Sequence, residues 1–309
     1  MELKEEMIQL LGREAVRPDE PMSRHTSFRV GGCADYYLTP KKDQIRDLLA
    51  FCERSGIPVT VIGNGSNLLV GDGGIRGAVV EIGANAAKIR VEDTVIYAEA
   101  GAGLARAAQE AARASLTGLE FASGIPGTVG GAVVMNAGAY GGEIKDILLW
   151  ADVMDEKRIV HRMSAEELDL SYRHSMVMDR KWIVLEAALS LTKGDPAAIR
   201  ARMEELRGQR LAKQPLEYPS AGSTFRRPQG YFAGKLIMDA GLRGYSVGGA
   251  QVSEKHCGFV INKGNATAED ILCLMEQVQE RVKKTFGVSL EPEVKLVGEF
   301  PGREKPCEL

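Results

Sequence analysis

The sequence predicts an α+β protein of two or three packed units. Three observations carry this expectation. The chain is 309 residues long, more than one average domain. Strand-type and helix-type patterns both occur, without the regular strand–helix alternation of a doubly wound sheet. Composition shifts at Asp195 and Pro196, where a helical pattern leaves a strand-rich stretch, and the main domain boundary is placed there.

Taken in order, residues 1–20 read as a short amphipathic helix and residues 34–39 as a strand. Residues 43–55 form a helix with Ile45, Leu48, Leu49 and Cys52 on one face, stopped by Gly56. Residues 58–62 are a buried-type strand running into a first glycine block at 63–67. Residues 69–100 read as successive short strands, with a hairpin near Glu92 and Asp93. An Ala-rich helix follows over 104–115. A second glycine block spans 124–131, and a third, Asn-Ala-Gly-Ala-Tyr-Gly-Gly, spans 136–142. Strands over 147–154, 159–163 and 182–191 enclose the segment 170–175, Leu-Ser-Tyr-Arg-His-Ser. Beyond the boundary, Ile199, Met203 and Leu206 mark a helix. The loop 219–228, a Gly-rich stretch over 241–249 and a strand near 257–262 come next. Thr267 with Asp270 three residues on caps a strong helix, whose buried stripe is Ile271, Met275, Val278 and Val282. Gly287 ends it, and residues 292–297 are the last clear strand.

Charge and composition narrow the function. Lys and Arg number 39 against 42 Asp and Glu, a formal net charge of -3. No basic stripe of more than a few residues exists, so nucleic acid is not an expected partner. The five cysteines, Cys33, Cys52, Cys257, Cys273 and Cys307, are odd in number and form no C-x-x-C pair. They read as free thiols in a reducing compartment, with Cys33 expected to pack in a core. The N-terminus lacks the basic start and apolar run of a signal peptide. No apolar stretch approaches the ~20 residues of a membrane span. The expectation is a cytoplasmic protein with no membrane partner. His25, His161 and His174 show no metal-ligand spacing with a carboxylate cluster, so no catalytic metal is expected.

Glycine carries the first specific information: there are 35, concentrated in the three blocks. Residues 63–67, Gly-Asn-Gly-Ser-Asn, begin like a dinucleotide-binding fingerprint. Leu68 stands where the third glycine would be, and strands follow rather than a helix. No Gly-Lys-Ser/Thr follows either, so it is no P-loop. Each block alone reads as a hairpin-like turn. Two blocks separated by one αβ module shift the balance. Consecutive glycines expose main-chain N–H groups that can form an anion-binding concavity without a helix terminus. Ser66, Ser123 and Thr128 add hydroxyls, and Pro126 fixes one turn. The pattern suits a pyrophosphate lying between two loops.

Residues 62–68 (Ile-Gly-Asn-Gly-Ser-Asn-Leu), 118–131 (Gly-Leu-Glu-Phe-Ala-Ser-Gly-Ile-Pro-Gly-Thr-Val-Gly-Gly) and 136–141 together resemble the UDP-N-acetylenolpyruvoylglucosamine reductases. Residues 171–175 (Ser-Tyr-Arg-His-Ser), 221–225 (Ala-Gly-Ser-Thr-Phe) and 290–294 (Leu-Glu-Pro-Glu-Val) look like that family's catalytic motifs, in the family's order. The resemblance runs from about Ser23 to Glu299. It implies a vanillyl-alcohol-oxidase-like FAD-binding fold of two subdomains, plus a smaller α/β substrate-binding domain. The implied limits are an N-terminal helix over 1–20, an FAD-binding domain over 21–195 (subdomains about 21–82 and 83–195), a substrate domain over 196–290, and a strand and tail over 291–309 returning to the FAD domain. About eleven residues separate Tyr172 and Arg173 from the strand at Trp182, which looks like the shorter family type without an inserted lid. The implied chemistry is reduction of an enolpyruvyl ether on a nucleotide sugar to the lactyl ether of UDP-N-acetylmuramate, with FAD as cofactor and NADPH as donor, in peptidoglycan synthesis. The expected assembly is a monomer or weak dimer.

The resemblance assigns FAD to Ile62, Gly63, Asn64, Gly65, Ser66, Asn67, Ser123, Gly124, Ile125, Pro126, Gly127, Thr128, Gly130, Gly131, Asn136 and Gly138. Arg173 is the expected stabiliser of charge on the substrate carboxylate, since its planar fork matches an enediolate bidentately. Ser223 looks like the proton donor, a role that needs neighbours to stabilise its alkoxide. Glu293 resembles the catalytic glutamate that polarises the carboxylate, expected to be kept protonated by burial; Glu291 is its nearest competitor. Lys235 and Arg226 or Arg227 are candidates for substrate phosphates, and His256 and Asn262 for the nucleotide or cofactor. For each of these five, a solvated surface residue is the competing reading. Cys33 stands where a proline is expected, Thr224 where an aromatic is frequent, and Arg227 where asparagine is common. A flavin oxidase of the same fold acting on an alcohol is the alternative enzyme. Residues 57–80 hold no His or Cys to tether a flavin, which counts against it. A non-catalytic nucleotide-sugar binding module is the alternative from another class.

Overall fold

The structure is a computed structural model that describes residues 2–302; Cys307 lies outside the described residues. The chain forms two compact units. The first comprises residues 2–17, Tyr37–Asn64 and Ala78–Arg210. The second comprises Pro18–Tyr36, Gly65–Gly77 and residues 211–302. Segments 18–36 and 65–77 thus pack with the C-terminal third, whereas the limits implied by the sequence hold them with the FAD-binding part. The reason for 65–77 is visible. The strand Leu68–Val70 is buried at all three residues and takes Lys295–Val297 as its parallel partner, Leu68 opposite Lys295 and Val70 opposite Val297.

The first unit is centred on a five-stranded antiparallel sheet. Its strands run Val160–Met163, Leu148–Met154, Ile183–Ser190, Val95–Glu99 and Ile89–Glu92. The expected hairpin sits where Glu92 faces Val95, with Asp93 in the left-handed region at φ 51. Alternation sets the core face: Ile96 and Ala98, Ala151 and Val153, Ala187 and Leu189 are all fully buried. Against this core lie the helix Leu104–Arg113, which buries Leu104, Ala107, Ala108 and Ala111, and the short helix Val129–Val134. Alanines at three- and four-residue spacing let the longer helix approach the sheet closely.

The N-terminal expectation needs correction. The helix covers only Glu2–Leu11. Gly12 leaves helical space at φ 91, and Val16–Pro21 is a strand. Pro18 within that run could not have continued a helix interior.

The second unit packs a three-stranded antiparallel sheet, Ser246–Val247, Ala250–Val252 and Val260–Asn262, against the helix Ala268–Phe286. That helix starts as its sequence predicts. Thr267 Oγ1 accepts from the Asp270 N–H at 3.0 Å, and Asp270 accepts from the Thr267 N–H at 3.1 Å. Gly287 closes it at φ 71. The sequence did not reveal that the Asp72 carboxylate also accepts from the N–H groups of Ala268 and Glu269, at 2.9 and 3.0 Å. It satisfies two of the four donors every helix leaves open.

Candidate active site

The strand Val59–Ile62 pairs parallel with residues 78–81 and delivers Gly63 to the edge of the second glycine block. A Cβ on Gly63 would stand 2.6 Å from Thr128 Oγ1, so only glycine permits this approach. Thr128 is 3% exposed and caps the helix Val129–Val134, its Oγ1 accepting from the Gly131 N–H at 3.2 Å. The N–H groups of Val129 and Gly130 donate to Ala102 and Ala100, both at 2.8 Å. The second block therefore opens a helix, which the sequence reading did not expect. Two glycines in six residues hid it, since glycine argues against helix. In the second unit, Gly65 sits at φ 61, and a Cβ there would overlap the His25 carbonyl.

These loops leave donors open. Among the described residues, the main-chain N–H groups of Asn64, Gly65, Ser66, Gly124 and Gly127 meet no protein acceptor. Ser27, whose N–H donates to the Gly65 carbonyl at 3.2 Å, carries a buried hydroxyl oxygen with no partner. Asn67 Nδ2 donates to the Glu293 carbonyl at 3.1 Å. Bare N–H groups are the donors that phosphate oxygens take. Within each unit, the loop residues present therefore fit a phosphate of the flavin dinucleotide that the sequence resemblance implies.

Arg173 lies in the first unit on a tight turn. Ser171 and His174 exchange main-chain hydrogen bonds at 3.1 and 3.2 Å, and Arg173 is forced to φ 56. A non-glycine residue held there costs about 1–3 kcal/mol, and such strain clusters at functional sites. The guanidinium donates from Nη2 to the Gly138 carbonyl at 3.1 Å. Asn136, fully buried, pins the turn: its Nδ2 donates to Glu143 at 2.7 Å and to the Ser171 carbonyl at 3.1 Å. Its Oδ1 accepts from the Lys145 N–H at 2.9 Å. The side-chain amide of Asn136 is thus engaged within the protein, and its neighbour Gly138 holds the arginine.

Ser223 and Glu293 lie in the second unit on two segments that pair antiparallel. Phe225 bridges Pro292, the Glu293 N–H donates to the Thr224 carbonyl at 2.8 Å, and the Arg226 N–H to Glu291 at 2.8 Å. Ser223 is exposed and follows Gly222, which is left-handed at φ 76. Its neighbour Thr224 is fully buried. Thr224 donates from its N–H to the Gly258 carbonyl at 2.9 Å and accepts at Oγ1 from Val260 N–H at 2.9 Å. The departure from an aromatic at 224 therefore has a structural reason: the hydroxyl ties the serine's loop segment to the sheet. Glu293 is half-buried while Glu291 is exposed, which favours Glu293 between the two.

The remaining candidates divide. Arg226 is half-buried, and its Nε is buried without a partner. Arg227 is exposed and lies 4.0 Å over the Phe232 ring. Lys235 pairs with Asp239 at 2.8 Å on its own helix. His256 Nδ1 accepts from the Gly258 N–H at 3.1 Å, and burial lowers its pKa from the ordinary 6.5. Asn262 uses both ends of its amide internally, donating to the Phe28 carbonyl at 3.1 Å and accepting from Ala266 N–H at 3.2 Å. Cys33 is exposed rather than packed in a core. It opens the strand Cys33–Leu38 on the outward side, and Ala34 takes the buried position.

Comparison with known proteins matches two stretches of the chain. Residues 34–164 match a family described as FAD binding domain. Residues 214–297 match the C-terminal domain of UDP-N-acetylenolpyruvoylglucosamine reductase. The UDP-N-acetylenolpyruvoylglucosamine reductase of Agathobacter rectalis is 60% identical over 294 residues, covering 91% of this chain and 94% of that protein. This chain belongs to the UDP-N-acetylenolpyruvoylglucosamine reductase family. A reductase of the same name from Caldanaerobacter subterraneus is 54% identical over 91% of this chain and 93% of its own length. The crystal structure of the UDP-N-acetylenolpyruvylglucosamine reductase of Thermus caldophilus superposes with a TM-score of 0.78 at 35% identity, over 93% of this chain and 100% of that one.

Within this reductase family member, the FAD-binding match contains all three glycine blocks. The C-terminal match contains Ser223 and Glu293. Arg173 falls between the two. Three residues escaped the sequence reading: Asp72, which caps the helix Ala268–Phe286, Ser27, whose N–H donates to the Gly65 carbonyl, and Arg210, whose side chain lies against Gly124. None stands in a glycine block, so no local pattern marks them.

Proposed function

We propose that this chain reduces the enolpyruvyl double bond of UDP-N-acetyl-3-O-(1-carboxyvinyl)-glucosamine to the lactyl ether of UDP-N-acetylmuramate, a step in making peptidoglycan precursors. NADPH is the reductant and FAD the bound cofactor. The single observation that carries this reading is near-full-length similarity to reductases of that name, at 60% identity over 94% of one relative. The open N–H groups of the glycine loops support it on physical grounds. The alcohol-oxidase reading finds no comparable support.

Bound FAD supplies the two-electron chemistry, relaying electrons from NADPH to the substrate double bond. The protein must manage charge and protons. As the terminal carbon is reduced, negative charge builds on the carbon bearing the carboxylate and spreads into the carboxylate oxygens. Arg173 offers two parallel charge-assisted hydrogen bonds to those oxygens, and its pinned turn fixes the direction of the fork in advance. Glu293 is assigned to the same carboxylate, a role that requires it to carry a proton there. Ser223 gives its hydroxyl proton to the carbon that bears the charge, which completes the lactyl methine. Net, the double bond gains two electrons and two protons, and NADPH is oxidised to NADP. Arg226, Arg227 and Lys235 supply cations for the substrate diphosphate, and His256 and Asn262 are assigned to the nucleotide side. We assign the enzyme to the cytoplasm, as a monomer or weak dimer without nucleic-acid partners. Among the described residues, no helix is long and apolar enough to cross a membrane.

Ser223→Ala tests the assignment. Because Ser223 is exposed and its segment is held by Thr224, the variant is expected to fold and to hold FAD. NADPH should bleach its flavin at the normal rate. Transfer to the enolpyruvyl nucleotide sugar should fall by about 10²- to 10⁴-fold, the usual worth of a positioned proton donor. Loss of FAD with normal transfer in the residual holoenzyme would show that Ser223 is structural.

A further inference from the structure

The turn that carries Arg173 is anchored at both ends. Upstream, Asn136 Nδ2 donates to the Ser171 carbonyl at 3.1 Å. Downstream, Ser175 is fully buried, and its hydroxyl donates to the Val134 carbonyl at 2.7 Å, an acceptor left open at the end of the helix Val129–Val134. Between these anchors the backbone enters the left-handed region at Arg173, φ 56, which an arginine holds only when its surroundings impose it. The side chain that spans the turn is His174. Its Nδ1 lies 3.4 Å from Ser171 Oγ, at the far end of hydrogen-bond reach. Its Nε2 lies 2.9 Å from Asp179 Oδ2, on the helix Met176–Arg180. An imidazole with its hydrogen on Nε2 serves both partners, donating to the carboxylate and accepting the serine hydroxyl. The aspartate–histidine–serine chain has the composition of a hydrolytic triad. Yet Ser171 stands beyond the reach of about 2.6–3.2 Å that a base needs, and the nitrogen facing it is Nδ1 rather than Nε2.

We propose that His174, braced by Asp179, is a positioning residue that keeps the Arg173 turn left-handed and so aims the guanidinium before substrate arrives. This rests on the reading of Arg173 as the group that stabilises charge on the substrate carboxylate. His174 acts through Arg173 and not on the substrate. A guanidinium fixed in advance stabilises the transition state better than one that must reorganise as charge develops.

Stopped-flow absorbance separates the two half-reactions: bleaching of the flavin by NADPH, and its return when the enolpyruvyl nucleotide sugar meets reduced holoenzyme. His174→Ala should slow the return about 10- to 100-fold at saturating substrate, the scale of a misplaced catalytic group, with FAD content unchanged. His174→Gln, which can still donate to Asp179, should recover most of the rate. Asp179→Ala should slow the return as well and add little to His174→Ala, because both act through one contact. In an Arg173→Gln background, His174→Ala should have no further effect. Equal return rates in wild type and His174→Ala overturn the proposal. So does a loss of the same size in the Arg173→Gln background, which would make the histidine a general prop of the fold. Arg173→Gln with a wild-type return rate overturns the reading of Arg173 itself. Urea unfolding midpoints separate a misaimed arginine from a lost fold, and His174→Gln with Asp179→Ala carries the same comparison if His174→Ala does not fold.

Discussion

Thr224 shows how one side chain can matter without touching chemistry. Its buried hydroxyl accepts from Val260 N–H, while its main chain joins Gly258 on one side and Glu293 on the other. Thr224→Val keeps the shape and strands the Val260 donor. The expected cost is about 1–3 kcal/mol in denaturant unfolding, with reduced transfer because the segment carrying Ser223 loses its side-chain tie to Val260. A midpoint equal to wild type would contradict this. His256 gives a prediction in pH. Burial lowers its folded pKa below the ordinary 6.5, so the unfolded chain binds the proton first. The stability His256 contributes is present above about pH 6.5 and is lost as pH falls below it. Unfolding midpoints between pH 7.5 and 5.5 should drop more steeply in wild type than in His256→Gln, which keeps an acceptor for Gly258 N–H.

At the scale of elements, the glycine blocks lie within the FAD-binding match, and Gly63 depends directly on packing. A Cβ at that position would press on Thr128 Oγ1 at 2.6 Å, the atom that caps the following helix. Gly63→Ala should therefore destabilise by about 1–3 kcal/mol, as overpacking does, and should hold flavin less tightly. Retention of FAD on a desalting column at wild-type level would count against the cradle. Elements with a strong periodic signal were legible in the sequence. The helix Ala268–Phe286 announced both ends through Thr267, Asp270 and Gly287, and the hairpin at Asp93 through its turn residues. What could not be read depends on contacts distant along the chain. The helix Val129–Val134 is glycine-rich and survives because Ala100 and Ala102 accept its first N–H groups. The N-terminal pattern ran amphipathic to residue 20, yet Gly12 and Pro18 end the helix and a strand takes over. Cys33 is exposed because pairing set the pleat of its strand, which one residue type cannot announce.

At the scale of the molecule, the motifs named the reaction, but their grouping is a property of the fold. Segment 65–77 belongs by packing with residues 211–302 because the strand Leu68–Val70 pairs with Lys295–Val297, more than two hundred residues away. Arg173 is readable as a motif. Its left-handed backbone and its tether to Gly138 are not, since the tether joins residues 35 apart along the chain. Anaerobic mixing of NADPH-reduced protein with the enolpyruvyl nucleotide sugar tests the account most directly. The flavin absorbance band should return, one equivalent of substrate reoxidising one equivalent of flavin, with a lactyl ether as product. Protein that folds yet takes up no flavin, or a reduced flavin that stays bleached with substrate present, would contradict it.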